Sequence, residues 1–149
     1  MVGLAWQTKD TLRHVMTSPV RTMESNGTIA AAANIMVQHD FGSIVVVEGK
    51  NTVGIITERD ITKQVIKREG VLKETVKNVM TKALVTAPPN MPVQDAFELM
   101  LKNKIRRLPV IENNNIVGIV TEKDLMRWVL RVSYEPNVPK RIKMVLEAQ

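Results

Sequence analysis

The feature that most constrains this chain is an internal repeat. Residues 54–60 read Gly-Ile-Ile-Thr-Glu-Arg-Asp, and residues 118–124 read Gly-Ile-Val-Thr-Glu-Lys-Asp, so both changes are conservative. The register of 64 residues that relates the two segments holds without an insertion over residues 10–68 of the first copy. An ungapped duplication of this length predicts one supersecondary unit that is folded twice.

The length of the chain bounds how the two copies can be arranged. The chain has 149 residues, and a repeat of about 60 residues buries too small a fraction of its surface to be stable alone. We therefore expect the two repeats to pack on each other in an α/β (α+β) structure. Hydrophobic residues make up 44% of the chain and aromatic residues only 3%, which predicts a core of aliphatic side chains.

Apolar periodicity and turn residues predict the same order of elements in each repeat: strand, helix, strand, strand and helix. In the first repeat these elements are expected at 20–23, 29–37, 43–47, 52–56 and from 57 to near 70. In the second repeat they are expected at 84–86, from Pro92 onward, and at 108–111, 116–120 and 121–132.

The predicted domains follow the repeats along the chain. They cover residues 10–69 and 74–132, and each begins with a short helical turn, for which Asp10 is a candidate cap in the first copy. Residues 133–149 form an extension, in which 140–148 are expected to be an amphipathic helix.

Each repeat carries the motif Thr-x-x-Asp where a strand meets a helix, at Thr57/Asp60 and at Thr121/Asp124. The plainest interpretation is a capping box, with aspartate in place of the usual Glu or Gln. The second interpretation is a ligand site, because a helix N-terminus offers free N–H groups to a phosphate and a carboxylate can accept from both hydroxyls of a ribose. The glycine before each motif would let a ligand or another chain segment approach the backbone.

Together these features resemble a tandem pair of CBS domains (the cystathionine-β-synthase type), also called a Bateman module. The resemblance rests on the two Gly-h-h-Thr-x-x-Asp motifs after apolar hairpins, on Met-Thr at 16–17 and 80–81, and on Arg-Arg-Leu-Pro-Val at 106–110. It covers residues 10–132. It implies two β-α-β-β-α repeats packed with pseudo-twofold symmetry, and a non-catalytic energy or metabolite sensor that binds AMP, ADP, ATP or S-adenosylmethionine in two clefts between the repeats.

The resemblance also implies roles for individual residues. Asp60 and Asp124 would hold the ribose hydroxyls, and Thr57 and Thr121 would cap their helices and face ribose or phosphate. Val20 and Leu84 would flank the adenine, while Arg59 and Lys123 would reach phosphate. The full set implied for the ligand is Val20, Thr22, Ser43, Thr57, Arg59 and Asp60 in the first repeat, and Leu84, Thr86, Arg106, Arg107, Thr121, Lys123 and Asp124 in the second.

The two implied sites differ where each hairpin begins. The second repeat has Arg106-Arg107 at this position, whereas the first has Gly42-Ser43. Since members of the family often place a basic residue here to meet phosphate, the resemblance implies that the second site prefers a phosphorylated ligand. The first site would be weaker or take a less charged ligand. The alternative is that both arginines lie at a solvated edge.

The charge distribution supports a second functional hypothesis. The net charge is +6, and residues 101–149 hold 10 Lys and Arg against 5 Asp and Glu. A nucleic-acid-binding protein could use this region as a phosphate-facing stripe, although aromatic residues for base stacking are scarce. The stripe would consist of Arg127, Arg131, Lys140, Arg141 and Lys143. A third hypothesis is that the terminal helix only forms the interface of a homodimer, the assembly that the resemblance implies.

Other features narrow the class of protein. The sequence has no cysteine, no apolar run of membrane-spanning length and no pattern of a signal peptide, so we expect a cytoplasmic protein. His14 and His39 are not at metal-ligand spacing, and no nucleophile and base can be paired. We therefore expect no enzyme activity, no metal and no required cofactor. The expected partners are an adenine nucleotide, a second copy of the chain and an unidentified regulated protein.

Overall fold

The computed structural model describes the backbone of residues 8–134 and the side chains of residues 8–132. The predicted terminal helix at 140–148 lies outside the described residues. The helices are α1 (Leu12–Val15), α2 (Ile29–His39), α3 (Glu58–Lys67), α4 (Val93–Asn103) and α5 (Glu122–Tyr134). The strands are β1 (Thr22–Glu24), β2 (Ser43–Glu48), β3 (Asn51–Thr57), β4 (Arg107–Glu112) and β5 (Asn115–Thr121).

The described residues form two compact units. The unit that contains Asp60 consists of residues 19–86 and 111–117, and we call it the Asp60 unit. The unit that contains Asp124 consists of residues 8–18, 87–110 and 118–134, and we call it the Asp124 unit. No helix in the described part of the chain is long and apolar enough to cross a lipid bilayer.

The Asp60 unit is built on a three-stranded sheet. Strand β1 runs parallel to β2, and β2 pairs with β3 in an antiparallel hairpin, so that β2 is the central strand. Helices α2 and α3 bury one apolar stripe each against this sheet, because their apolar residues recur at helical spacing. The buried cluster consists of Ile29, Ala32, Met36, Ile44, Val46, Ile56, Ile61, Val71, Val76 and Met80.

The core of the Asp124 unit is formed by counterparts of these residues, which stand 64 positions later or earlier in the sequence. Residues 107–110 of β4 and 118–121 of β5 belong to this unit, and α1 packs against both α4 and α5. The side chain of Trp128 on α5 is 2% exposed, and its Nε1–H donates to Oδ2 of Asp10 at 2.8 Å. The other buried hydrophobic residues are Leu12, Ala87, Val93, Ala96, Met100, Leu108, Val110, Val120 and Leu125.

One predicted strand does not form. Residues 84–86 were expected to pair like their counterparts in β1, but only an isolated parallel bridge between Ala87 and Val110 is present. The physical reason is the loss of two N–H donors to proline. In the first copy the N–H of Val45 donates to Arg21 and the N–H of Ser25 donates to Val47. Pro109 and Pro89 stand at the equivalent positions and have no N–H.

We call the segment that precedes the first strand of each repeat its leading segment. Each leading segment belongs to the unit that contains the Thr-x-x-Asp motif of the other repeat. Residues 8–18 lie in the Asp124 unit, and residues 71–80 lie in the Asp60 unit, where they form two short 3₁₀ turns instead of the predicted helical turn. The compact units therefore do not follow the repeats along the chain. The boundaries 10–69 and 74–132 remain a prediction about the duplicated segments.

Each leading segment pairs with a hairpin strand through its Met-Thr dipeptide. Thr17 forms an antiparallel bridge with Ile119, and Thr81 forms the equivalent bridge with Ile55. The N–H of Thr17 donates to the carbonyl oxygen of Ile119 at 2.9 Å, and the N–H of Ile119 donates to the carbonyl oxygen of Thr17 at 3.1 Å. These bonds place Met16 over Gly118, and the matching bonds of Thr81 place Met80 over Gly54.

Charged side chains also attach the leading segments. Asp10 is not the cap of α1, as the sequence suggested, because its carboxylate accepts from Trp128 and pairs with Arg131 at 3.3 Å. The cap is Thr11, whose backbone N–H donates to Nδ1 of His14 at 2.9 Å. In the Asp60 unit, the hydrogen bond from Lys77 to Glu48, together with a second from Ser25, lowers the pKa of the Glu48 carboxyl group below its ordinary value.

Candidate functional site: two strand-to-helix corners

The first corner lies where β3 ends and α3 begins. The backbone of Thr57 is extended, with φ −119° and ψ 159°, so the chain turns into the helix directly after it. The Thr57 N–H donates to Oδ2 of Asp60 at 2.9 Å, and the Thr57 hydroxyl donates to the same oxygen at 2.8 Å. In return, the Asp60 N–H donates to Thr57 Oγ1 at 3.1 Å.

The second corner has the same construction where β5 meets α5. The N–H and the hydroxyl of Thr121 donate to Oδ2 of Asp124 at 2.8 and 2.9 Å. The Asp124 N–H donates to Thr121 Oγ1 at 3.3 Å. The capping-box interpretation of both motifs is therefore confirmed, because each threonine and aspartate satisfies the other's backbone N–H.

Capping uses only one carboxylate oxygen of each aspartate, so the ligand interpretation stays a prediction. Asp60 is half-buried, and among the described residues nothing donates to its second oxygen, Oδ1. Asp124 is 8% exposed, and its Oδ1 lies 3.5 Å from Nη1 of Arg127. The two corners share a fold but differ in what lies near the carboxylate oxygen that capping does not use, Oδ1, which we call the outward oxygen.

The first helical N–H groups are partly used as well. The N–H of Glu58 donates to the carbonyl oxygen of Gly42, and the N–H of Glu122 donates to that of Arg106, both at 3.1 Å. These bonds attach the start of each hairpin to the start of the following helix. No described residue accepts from the N–H of Arg59 or of Lys123, the second residue of each helix. Each corner thus keeps one free N–H at the positive end of a helix dipole.

The glycines of the two motifs have a structural role that the sequence did not reveal. Neither Gly54 nor Gly118 has a positive φ. A Cβ on Gly54 would lie 2.9 Å from the carbonyl oxygen of Thr81, and one on Gly118 would lie 2.8 Å from Cγ of Met16. The close approach that these glycines permit is that of the chain's own leading segments.

The structure brings most of the predicted site residues of the first repeat near one another. Ser43 is the direct cross-strand partner of Thr57, and Arg59 is exposed one residue before Asp60. Thr22 begins β1, opposite Val45, and is exposed. Val20 is half-buried just before this strand, and no described hydrogen bond links it to the corner.

The predicted residues of the second repeat are divided between the two units. Arg106, Arg107, Thr121, Lys123 and Asp124 belong to the Asp124 unit, whereas Leu84 and Thr86 belong to the Asp60 unit. Arg106 is exposed, and its Nε lies 3.7 Å from Oε1 of Glu122. Arg107 is half-buried at the first position of β4, and the described residues offer it no ion pair.

Sequence reasoning missed an aromatic and cationic cluster beside the first corner. The guanidinium of Arg21 lies 5.8 Å from the centre of the Phe41 ring, and the His39 ring stacks on the same ring at 6.0 Å between centroids. Phe41 immediately precedes Gly42, whose carbonyl oxygen holds the first N–H of α3. The counterparts in the second repeat are Val85, Asn103 and Ile105, so a comparison of the two copies was the available signal.

The basic last third is partly neutralised within the described residues. Arg127 lies 3.5 Å from Asp124, and Arg131 lies 3.3 Å from Asp10. The other members of the predicted stripe, Lys140, Arg141 and Lys143, lie outside the described residues. No observation therefore favours the nucleic-acid hypothesis, because two of its five cations are already paired with carboxylates.

Comparison with known families decides the class of protein. The family model described as "CBS domain" matches the chain twice, at residues 12–67 and 76–131. The chain belongs to the CBS-domain family. The resemblance inferred from the repeats is confirmed, and so is the fold class of two tandem CBS repeats of mixed α and β structure.

Two relatives illustrate what the chain is similar to over about three quarters of its length. The CBS domain-containing protein YhcV of Bacillus subtilis is 41% identical over 114 residues, which are 76% of this chain and 81% of that protein. The inosine-5'-monophosphate dehydrogenase of Methanocaldococcus jannaschii is 33% identical over 115 residues, or 76% of this chain, but the match covers only 22% of that enzyme. A module like this one therefore occurs within a larger enzyme.

A solved CBS domain pair has a similar fold and contains ligands. The CBS domain pair of protein MJ0100 superposes with a TM-score of 0.73 and 31% sequence identity, and the match covers 80% of this chain and 95% of that one. That protein was crystallised in complex with 5'-methylthioadenosine and S-adenosyl-L-methionine. Both ligands contain an adenosine group.

Proposed function

We propose that this CBS protein is a non-catalytic sensor that binds adenosine compounds, namely AMP, ADP, ATP or S-adenosylmethionine, at its two strand-to-helix corners. The observation that carries the proposal is the repeated corner itself. Each has a helix N-terminus with a free N–H and an aspartate whose capping bonds use only one carboxylate oxygen. The similar domain pair that holds two adenosine compounds supports the same ligand class.

Each part of an adenosine nucleotide has a complementary group in this proposal. The outward oxygens of Asp60 and Asp124 accept hydrogen bonds from the ribose hydroxyls. The free N–H groups of α3 and α5 bind phosphate together with basic side chains. These basic side chains are Arg59 at the first corner, and Arg106, Arg107 and Lys123 at the second. Val20 and Leu84 pack against adenine, and Thr22, Ser43 and Thr86 complete the set, with Thr57 and Thr121 as the caps.

The regulatory effect follows because ligand binding is thermodynamically linked to the equilibria of folding, conformation and assembly. A ligand that binds only the folded protein stabilises it, by about 2.7 kcal/mol at a concentration of 100 times Kd. A change in the population of conformations or assemblies follows only if the ligand binds one of them more tightly. We propose that the regulated target is another protein, which reads this change.

Calorimetric titration with the nucleotide panel tests the proposal. We expect heat of binding with at least one of AMP, ADP, ATP and S-adenosylmethionine. In Asp60→Asn and Asp124→Asn an amide oxygen can keep the cap, while the outward acceptor becomes a donor and the charge is lost. The affinity of the altered corner should fall about 10- to 100-fold, the range for a hydrogen bond to a charged group.

The matched control is Asp95→Asn, because Asp95 is an exposed carboxylate in the first turn of α4 that is not part of a Thr-x-x-Asp motif. Its affinity for the panel should equal that of the wild type. If no compound bound the wild type, or if Asp95→Asn weakened binding as much as the corner variants, the sensor function would be wrong.

We also propose that the protein is a homodimer. Val37 on α2 and Leu101 on α4 stand at equivalent positions of the two repeats, and their side chains are 82% and 67% exposed. Exposed apolar side chains mark an interaction surface when they form a contiguous patch, and we propose that each of these two lies in such a patch of the dimer. Two such positions in equivalent elements suit the self-complementary interface of a dimer.

Sedimentation velocity at micromolar concentration tests this assembly. We expect a dimer for the wild type and a shift toward monomer for Val37→Glu and Leu101→Glu, since each substitution places a charge in the interface. Gln38→Glu, on the exposed neighbour of Val37, is the control and should remain dimeric. A monomeric wild type would refute the homodimer.

A further inference from the structure

We infer that Arg127 determines which ligands the second corner accepts. Its guanidinium lies against the outward oxygen of Asp124, so this corner is closed to a neutral ribose until an anionic group on the ligand draws the guanidinium away. At the first corner no described residue makes such a contact with Asp60, so we take this corner to be open. The inference rests on the proposed function, because it concerns the choice between ligands at the same two aspartates.

The two aspartates use their oxygens differently. Oδ2 of Asp124 accepts two hydrogen bonds from Thr121, and Oδ1 faces Nη1 of Arg127 at 3.5 Å, so both oxygens face donors. The Asp124 side chain is 8% exposed and the Arg127 side chain 30% exposed, so water screens this pair less than it screens a surface pair. At the first corner Asp60 is half-buried, and no described residue donates to its Oδ1.

The duplicated sequence isolates the cause of this difference. Each aspartate is followed three residues later by a cation, which is Lys63 in the first repeat and Arg127 in the second. Lys63 is exposed and makes no ion pair with a described residue. Arg127 pairs with Asp124 through its guanidinium. Because the guanidinium presents several donors in a rigid plane, it is better suited than an ammonium group to remain on a carboxylate.

The consequence for ligands depends on their charge. A ribose diol that binds Asp124 must displace a charged donor, which should weaken a neutral nucleoside about 10- to 100-fold relative to an open corner. A ligand with a phosphate offers the displaced guanidinium a new anionic partner, which it can bind through two parallel hydrogen bonds. The second corner should therefore discriminate AMP from adenosine more strongly than the first corner does.

Titration calorimetry with adenosine and with AMP tests this inference on the full chain. In the wild type, adenosine should bind one site, which Asp60→Asn removes and Asp124→Asn leaves intact. Arg127→Gln should create a second adenosine site, which Asp124→Asn then removes. It should also weaken AMP at the second corner, since the displaced guanidinium is no longer available to the phosphate. Lys63→Gln is the matched control and should not change the number of adenosine sites.

Exchanging the residues at 127 and 63 between the two repeats provides a second test, which remains valid if Arg127→Gln does not fold. Arg127→Lys gives the second corner the residue of the first, and it should open that corner to adenosine. Lys63→Arg gives the first corner the residue of the second, and it should lower the affinity of that corner for adenosine about 10-fold or more. Thermal melts of each variant show whether the fold is retained.

The possible outcomes separate this inference from the proposed function. If neither adenosine nor AMP binds any folded variant, the sensor function itself is wrong, and the inference is wrong with it. If ligands bind, the inference alone is overturned by two equal adenosine sites in the wild type, or by variants at 127 and 63 that leave adenosine binding unchanged. Binding of AMP without adenosine binding in any variant would also overturn it.

Discussion

Replacement of Trp128 by alanine is expected to lower the free energy of unfolding by about 3–5 kcal/mol, the range for removing a large buried aromatic side chain. Trp128 is 2% exposed within the Asp124 unit, and its indole N–H donates to Asp10. The substitution thus leaves a cavity and also removes a tie between α5 and the leading segment of the chain. A loss of this size is a large fraction of the stability of an ordinary domain.

Urea denaturation measures the effect, because a loss of stability lowers the midpoint without changing the slope. Trp128→Phe keeps most of the volume but loses the indole N–H, so it should cost less than the alanine variant. Gln64→Ala is the matched control, since Gln64 is the half-buried counterpart of Trp128 on α3, and it should change stability by no more than about 0.5 kcal/mol. Equal midpoints for Trp128→Ala and the wild type would refute the role of Trp128 in the core.

Substitution of alanine at Gly118 or Gly54 is the second change from which we expect a large effect, a loss of about 1–3 kcal/mol each from overpacking. A Cβ on Gly118 would meet the side chain of Met16, with Cγ at 2.8 Å. A Cβ on Gly54 would meet Sδ of Met80 at 2.5 Å and also the carbonyl oxygen of Thr81 at 2.9 Å. The added methyl group must push the leading segment away from the strand in both cases.

The obstacles differ, and double-mutant cycles can show the difference. The three nearest atoms to a Cβ on Gly118 all belong to the side chain of Met16, so Met16→Ala should relieve most of the cost of Gly118→Ala. Met80→Ala should relieve less of the cost of Gly54→Ala, because the backbone oxygen of Thr81 remains in place. The control is Gly49→Ala, where a positive φ of 61° produces strain but no atom lies within 4 Å. Coupling of Gly49→Ala to either methionine would contradict this account.

Substitutions at these glycines do not separate the effects of packing from those of ligand binding. Gly54 and Gly118 stand three residues before Thr57 and Thr121, and the sequence alone permitted the interpretation that a ligand approaches the backbone there. In the structure the leading segments occupy that position. A glycine variant that loses both stability and affinity therefore does not locate the ligand, whereas Asp60→Asn and Asp124→Asn act directly on the outward oxygens.

Much of the fold could be predicted because the deciding interactions are local. The two capping boxes were predictable from Thr-x-x-Asp, since their hydrogen bonds join residues only three positions apart. The hairpins followed from apolar runs with turn residues between them. The missing strand at 84–86 was also within reach of the sequence, because the prolines at 89 and 109 have no N–H to form the ladder.

The state of the candidate site was less predictable. Both aspartates were identified, but nothing in the motif distinguishes a carboxylate with an open outward oxygen from one that is covered by an arginine. Arg127 was assigned only to a nucleic-acid stripe, since a cation three residues after an aspartate can equally point to solvent, as Lys63 does. The side-chain rotamer of Arg127 decides whether it covers Asp124. That rotamer depends on the residues packed against α5, which the sequence motif does not specify.

The sequence by itself determined most of the repeated elements, the two Thr-x-x-Asp caps and the family, because these depend on contacts within a few residues and on a duplication that is visible without coordinates. Only the tertiary structure decided which leading segment pairs with which hairpin. Met16-Thr17 and Met80-Thr81 are nearly identical, and so are the strands around Gly54 and Gly118, so local chemistry does not choose between the two pairings. The folded chain joins Met16 to Gly118 and Met80 to Gly54. This choice depends on long-range packing, of the first leading segment against α4 and α5 and of the second against α2 and α3.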